Sequence, residues 1–378
     1  MKTFYCDDCG ALVFFENVTC LTCGHALGFL PDVLDLSAVE PAADGQLRAL
    51  AAPARDRLYR ACANGRDHAV CNWLVPVEDA SPFCAACRLN DVIPDLTIAG
   101  NRERWHRLEL AKRRLIYTLL KLDLPTTPET GSGSQALRFR FLGDPVEGPP
   151  VLTGHADGVI TINIIEADDA VREQRRVNLH EPFRTLLGHF RHEVAHYYFD
   201  RLVAAPERRE AFRARFGDEQ ADYKAALDRH YREGAPPDWA TRHVSAYASM
   251  HPWEDWAETF AHYLHIVDTI ETAAGFGMSL RPRQHPAAST MTAEPQRAAH
   301  PEASFDAILA TWYPLTYALN SLNRGVGLND LYPFALSAPA AEKLRFVHDS
   351  LAKKEAARPS EHAAKNSLAD EAAITSGP

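Results

Sequence analysis

The sequence predicts an α+β chain: a metal-stapled, cysteine-rich module over residues 1–95, then a mainly helical domain with a small β-sheet over residues 96–350. Three observations carry that expectation. All eight cysteines lie at or before Cys87. Residues 137–142 and 158–165 alternate in polarity and read as strands. Long stretches on either side repeat apolar residues at helical spacing. The length of 378 residues fits two domains of about 100–200 residues each.

In chain order, Cys6-Asp7-Asp8-Cys9-Gly10 and Cys20-Leu21-Thr22-Cys23-Gly24 form two CxxCG knuckles. Zinc favours a tetrahedron of thiolates. A CxxC turn aims two of them at one ion, and the glycine frees the backbone to follow. These four cysteines are expected to make one closed structural site. Cys62, Cys71, Cys84 and Cys87 are expected to make a second, although only the last two form a CxxC. Knuckles could instead pair across the two sets, or His25 or His68 could replace a ligand. A redox CxxC pair would need a thioredoxin-like βαβ context, which is not visible. A module with so little apolar content is expected to need the metal as a staple.

Residues 101–122 place Trp105, Leu108, Leu115, Leu119 and Leu122 on one helical face. Residues 125–135 are a loop by composition. The strand at 158–165 is expected to be an edge strand, onto which an extended peptide can add. Residues 281–303 look like a flexible insertion and 351–378 like a disordered tail, since neither has an apolar period.

Residues 182–203 read as a helix with Pro182 in its first turn and a stripe of Phe183, Leu186, Leu187, Phe190, Val194 and Leu202. Within it lies His192-Glu193-Val194-Ala195-His196. The i, i+4 spacing puts both imidazoles on one face, where they can bind one zinc, with Glu193 beside it as a general base. Such a centre takes a third ligand from elsewhere and leaves one position open. The best downstream candidate is the helix 251–265, where Glu254 and Glu258 stand one turn apart. One carboxylate can bind the ion while the other accepts the N–H of a ligating histidine. The plainer reading is an acidic helix N-terminus favoured by the helix dipole.

The segments LLGHFRHEVAHYYFDRL and SAYASMHPWEDWAETFAHYLHIVDT, with the cysteine knuckles before them, resemble a bacterial family of zinc-binding metallopeptidases that carry an N-terminal zinc ribbon. The resemblance spans residue 3 to about residue 350, apart from 281–303. It implies a zincin-type metallopeptidase domain. More distantly, Glu254-Asp255-Trp256-Ala257-Glu258 is similar to the third-ligand helix of gluzincins, where the first glutamate of an E-x-x-A-E run binds zinc and the second buttresses a histidine. That similarity implies Glu254 as ligand and Glu258 as its support. It also implies a catalytic tyrosine seven residues before the ligand, the offset of Tyr247; Tyr197 and Tyr198 are runners-up. Asp255 departs from the aromatic residue usual there.

The expected cofactors are three zinc ions, one catalytic and two structural, and the expected partner is a peptide or protein substrate. The net charge of −10 argues against nucleic acid as the main partner. The longest uncharged stretch, 307–323, is too short and polar to cross a membrane. Residues 1–10 lack the pattern of a secretory signal, so a cytoplasmic location is expected. A different class of function remains open, in which the zinc ribbon is an adaptor binding protein or nucleic acid and the helical part a scaffold. So does hydrolysis of a non-peptide amide by the same chemistry.

Overall fold

Seen in a computed structural model, the chain is described at residues 1–127, 135–145, 147–178, 185–283, 290–300, 302–332 and 336–355. It opens with a small hairpin, β1 (Phe4–Tyr5) and β2 (Leu12–Val13). Next comes an antiparallel sheet of β3 (Ala26–Leu30), β4 (Asp35–Pro41), β5 (Leu47–Ala49), β6 (Leu58–Ala61) and β7 (Leu74–Pro76), with a short helix α1 (Ala63–His68) before its last strand. A parallel bridge between Phe29 and Trp73 draws the first and last strands together. The curled sheet encloses Leu30, Ala49, Tyr59 and Leu74, while Phe29 and Trp73, their rings 4.6 Å apart and both fully buried, lie on its other face in the main core with Phe15 and Tyr117. The module is therefore not stapled by metal alone, as its composition suggested. Its apolar residues are few but divide between the inside of the curled sheet and the face turned to the rest of the chain.

The two parts stay in contact across the expected boundary at residue 95. β8 (Asn90–Val92) leaves the cysteine module and pairs in parallel with β9 (Arg138–Leu142). The second sheet runs in the order β10 (Gly154–Ala156), β11 (Val159–Asn163), β9, β8. β11 is thus an inner strand rather than an edge strand; the edge strands are β10 and β8. After Asn163 the chain turns into a single 3-10 turn, because the Asn163 side chain accepts the N–H of Ile165.

The helix α2 (Asn101–Lys121) joins the two halves. It buries Glu109 and Lys112 completely, as an ion pair of 2.8 Å. Glu109 also accepts from Trp105 Nε1 at 3.1 Å and from Asn90 Nδ2 at 2.8 Å, while the Lys112 ammonium lies 5.6 Å and 5.5 Å from the Phe139 and Phe141 ring centres. Tyr117, on the same helix, meets Phe15 and Phe29 of the cysteine module. Glu109 and Lys112 thus find partners in each other and in their neighbours, which is the condition for tolerating burial.

Helices fill the rest: α3 (Asp169–Asn178), α4 (Leu186–Leu202), α5 (Pro206–Phe216), α6 (Tyr223–Glu233), α7 (Pro252–Gly275), α8 (Pro295–Ala298), α9 (Phe305–Gly325) and α10 (Ala338–Glu355). α4 starts at Leu186, where Thr185 accepts the N–H of Gly188 at 2.9 Å and so caps it. Pro182, expected in its first turn, lies outside the described residues, as do most of the 125–135 loop and residues 356–378. Two expectations change. Within 281–303, Ala293 bridges Leu280, and α8 buries Pro295 and Ala298 against α7, so this segment is partly folded. The first five residues of the expected tail continue α10. Among the described residues no helix is long and apolar enough to cross a membrane.

Replacing Trp73 with Ala opens a cavity where the sheet packs on Phe15 and the main core and should cost about 3–5 kcal/mol. A urea titration should show a lower midpoint with the mutant still binding zinc at its cysteines.

Candidate metal centre and cleft

The cysteine clusters come together as two separate quartets, Cys6/Cys9/Cys20/Cys23 and Cys62/Cys71/Cys84/Cys87, with no pairing across them. In the first, Cys6 and Cys23 lie 3.6 Å apart, as do Cys9 and Cys20; in the second, Cys71 and Cys84 lie 3.7 Å apart. A tetrahedron with metal–sulfur bonds of about 2.3 Å has edges of about 3.8 Å, so these spacings fit a zinc ion at the centre. They are far too long for disulfides. Gly10 and Gly24 take φ of +73° and +81°, as the knuckles require. Backbone N–H groups of Cys23 and Thr22 pull the Cys20 thiol down to about 6, favouring the thiolate that binds metal. His25 sits beside the first quartet, 3.5 Å from Cys23 and 3.3 Å from Asp8, whereas His68 packs on Trp105.

The third cluster forms where α4 crosses α7. Trp256 Nε1 donates to the Ala195 carbonyl at 2.8 Å, and Tyr198 stacks on Phe260. This packing turns the polar face of each helix toward the other. His192 Nε2 lies 2.9 Å and His196 Nε2 3.7 Å from the same oxygen, Glu254 Oε2. All three donor atoms fall within 4.8 Å of one another. That oxygen is buried and receives no hydrogen bond, while Oε1 of the same carboxylate accepts from Tyr223 at 3.0 Å. An unsatisfied carboxylate oxygen facing two imidazole nitrogens is a donor set made for a cation, and two nitrogens with one oxygen suit zinc.

Glu258 does not reach that point. Its Oε1 lies 2.7 Å from His192 Nδ1, and its Oε2 accepts from Ser245 at 2.6 Å, so it supports the ring from behind. Burial opposes a charged His192, yet Glu254 and Glu258 outweigh it and hold the ring well above the ordinary histidine range. Burial likewise works against an ionised Glu254, but His192 and His196 keep its carboxyl well below the usual range. Glu193, also buried, projects into the cleft with Oε1 3.4 Å from His189 Nε2. Behind His189, Glu166 Oε2 stands 3.8 Å from Nδ1.

The cleft encloses about 440 Å³ and is also lined by Tyr247, Tyr223, Trp253 and His155. The Tyr247 ring lies 6.0 Å from that of His192. Tyr223 donates its hydroxyl proton to Glu254 Oε1, while burial and the nearby Glu254 charge push the Tyr247 phenol well above its ordinary range. Tyr197 and Tyr198 point away, toward the backbone carbonyls of Thr126 and Pro125. Asp255, the departure from the gluzincin pattern, faces the other way as well. It is buried against Lys343 of α10 and lies 3.1 Å from His243 Nδ1. Sequence reasoning missed Tyr223, Ser245, His189 and His155. His189 alone carried a signal, one helical turn before Glu193. The others reach the cleft from separate segments with no spacing that ties them to the HExxH run.

Residues 101–350 match the family described as "Putative zinc-binding metallo-peptidase", and residues 3–98 match a zinc-ribbon domain. The chain belongs to this metallo-peptidase family. It is 45% identical over 349 residues to an uncharacterized protein of Mycobacterium bovis and to two of Mycobacterium tuberculosis strains, covering 92% of this chain and 94% of theirs. No solved structure matches it. The zinc-binding character these family descriptions name agrees with the two thiol quartets and the histidine–carboxylate cluster.

Replacing Lys343 with Met should leave Asp255 buried without its cation and cost about 3–5 kcal/mol. The check is the thermal or urea midpoint, with zinc content of the folded fraction unchanged.

Proposed function

We propose that this chain is a zinc-dependent metallopeptidase of gluzincin type. The observation that carries the reading is the convergence of His192 Nε2 and His196 Nε2 on the unsatisfied Glu254 Oε2, with the buried carboxylate of Glu193 beside them. His192, His196 and Glu254 would hold the catalytic ion, and each cysteine quartet would hold a structural one. Zinc in the open-sided site supplies Lewis acidity, making a water a nucleophile near neutral pH and polarising the scissile carbonyl.

The chain's own residues do the rest. Glu193 takes the proton of the attacking water and returns it to the leaving amine. His189 occupies Glu193 Oε1 and leaves Oε2 for that exchange. Glu258 fixes the His192 tautomer and orientation, as outer-shell carboxylates do. Tyr223 holds the outer oxygen of Glu254, keeping the inner one aimed at the ion, and Tyr247 in the cleft wall is the phenol that would help stabilise the oxyanion. Edge strand β10 forms a cleft wall and has a free side for an extended peptide to pair with. A second, compatible reading, that the ribbon docks a protein, is favoured by its exposed apolar side chains Phe14, Val18 and Leu21.

Digestion of a proteome-derived peptide library tests the activity. Glu193→Gln should keep three zincs per chain and lose about 10²–10⁴-fold in rate. Cleavage that survives this change would refute the mechanism. Metal analysis separates the glutamates. Glu254→Gln should release one zinc of three, whereas Glu258→Gln should retain it with affinity weakened by about 10–100-fold. The reverse pattern would exchange their roles.

A further inference from the structure

β10 and β11 are joined by a two-residue turn, Asp157 and Gly158, with φ of +49° and +81°. A turn of this kind closes the hairpin on the Ala156–Val159 pair. Gly158 cannot readily be another residue, since a Cβ there would meet the Ala136 carbonyl oxygen at 2.9 Å. Its N–H donates to His155 Nε2 at 3.1 Å. A backbone N–H can only donate, so His155 Nε2 must be the acceptor. The ring is then neutral with its proton on Nδ1. That Nδ1–H meets no acceptor among the described residues. The ring lines the cleft and lies nearly parallel to His196, at 24° and with centres 6.2 Å apart. Of the hydroxyls beside the centre, that of Tyr223 is committed to Glu254 Oε1 at 3.0 Å.

We propose that His155 is a catalytic residue of this centre, its Nδ1–H donating to the oxygen that gains negative charge beside the metal. The backbone turn, not a second side chain, sets the tautomer, so the donor is ready before any ligand arrives. The kind of oxygen follows from the metallopeptidase reading; the donor follows from the hairpin. No proton leaves His155 in this role. The hydrogen bond strengthens as charge develops and relaxes when the product departs.

The test uses the zinc-loaded full chain and acetohydroxamate, a small oxyanion that binds zinc. Its Kd is measured by calorimetry at matched zinc content. His155→Phe keeps an aromatic ring over His196 and removes the donor. It should bind the probe about 10–100-fold more weakly, the range for losing a hydrogen bond to a charged acceptor. His155→Gln keeps an N–H and should recover most of that loss. On any peptide the wild type cleaves, His155→Phe should lower kcat with little change in KM. Wild-type affinity in His155→Phe, or a Gln variant as weak as the Phe variant, overturns the proposal. If the probe effect appears but no peptide is cleaved, the peptidase reading fails and the His155 donor stands. If peptides are cleaved and His155→Phe changes neither binding nor kcat, the donor fails alone. A chain that takes up only two zincs removes both.

Discussion

Trp256 Nε1 donates to the Ala195 carbonyl where α4 and α7 cross, 2.8 Å apart, with both residues fully buried. Around this bond Phe199, Trp253 and Phe260 pack tightly enough to fix the relative rotation of the two helices. Everything at the centre depends on that rotation. A helical residue sweeps about 100° per position, so a small slip would carry Glu254 away from His192 and His196. The same rotation explains why Glu254 and Glu258, one turn apart, end with different tasks. Nε2 of His192 meets Glu254 and Nδ1 meets Glu258.

Burial of charge is the second constraint. The cleft floor gathers Glu193, Glu254 and Glu258 around two imidazoles in surroundings almost closed to water. Such a group is stable only when each charge finds a partner or a cation. The structure answers with Ser245 and Tyr223 on the carboxylates and with a remaining oxygen left open. A comparable solution recurs on α2, where Glu109 and Lys112 are satisfied by Trp105, Asn90 and each other. Glu109 Oε2 lies 3.9 Å from Cys87 Sγ, so this network reaches the second thiol quartet. The zinc ribbon and the helical part thus share a core and a charge network, and β8 continues one into the sheet of the other.

The walls of the cleft come from segments remote in sequence. β10 brings His155, α6 brings Tyr223, and the turn before α7 brings Ser245 and Tyr247. Only Ala226 of α6 is buried, so that helix is held largely by its contacts at the cleft. Rigid helices therefore carry the candidate ligands, while less tightly packed elements carry the residues that would meet a substrate. This division matches the demands of a metal centre, which needs fixed donors and an accessible open side.

The sequence by itself determined what depends on local spacing. The i, i+4 histidines with Glu193, the two CxxCG knuckles, the pair Glu254 and Glu258, and the main helices and strands were legible because helical and turn geometry repeats over a few residues. Tyr247 was implied only by the resemblance to gluzincins. Contacts between distant segments were decided only in the tertiary structure. Nothing local distinguishes an inner strand from an edge, so β11 was mistaken for an edge, which β10 and β8 provide. Nothing local couples Asp255 to Lys343, or aims Tyr223 and His155 at one cleft. Those placements arise when α4, α7 and the second sheet bury their apolar faces together, because burial fixes where each remaining polar side chain must point.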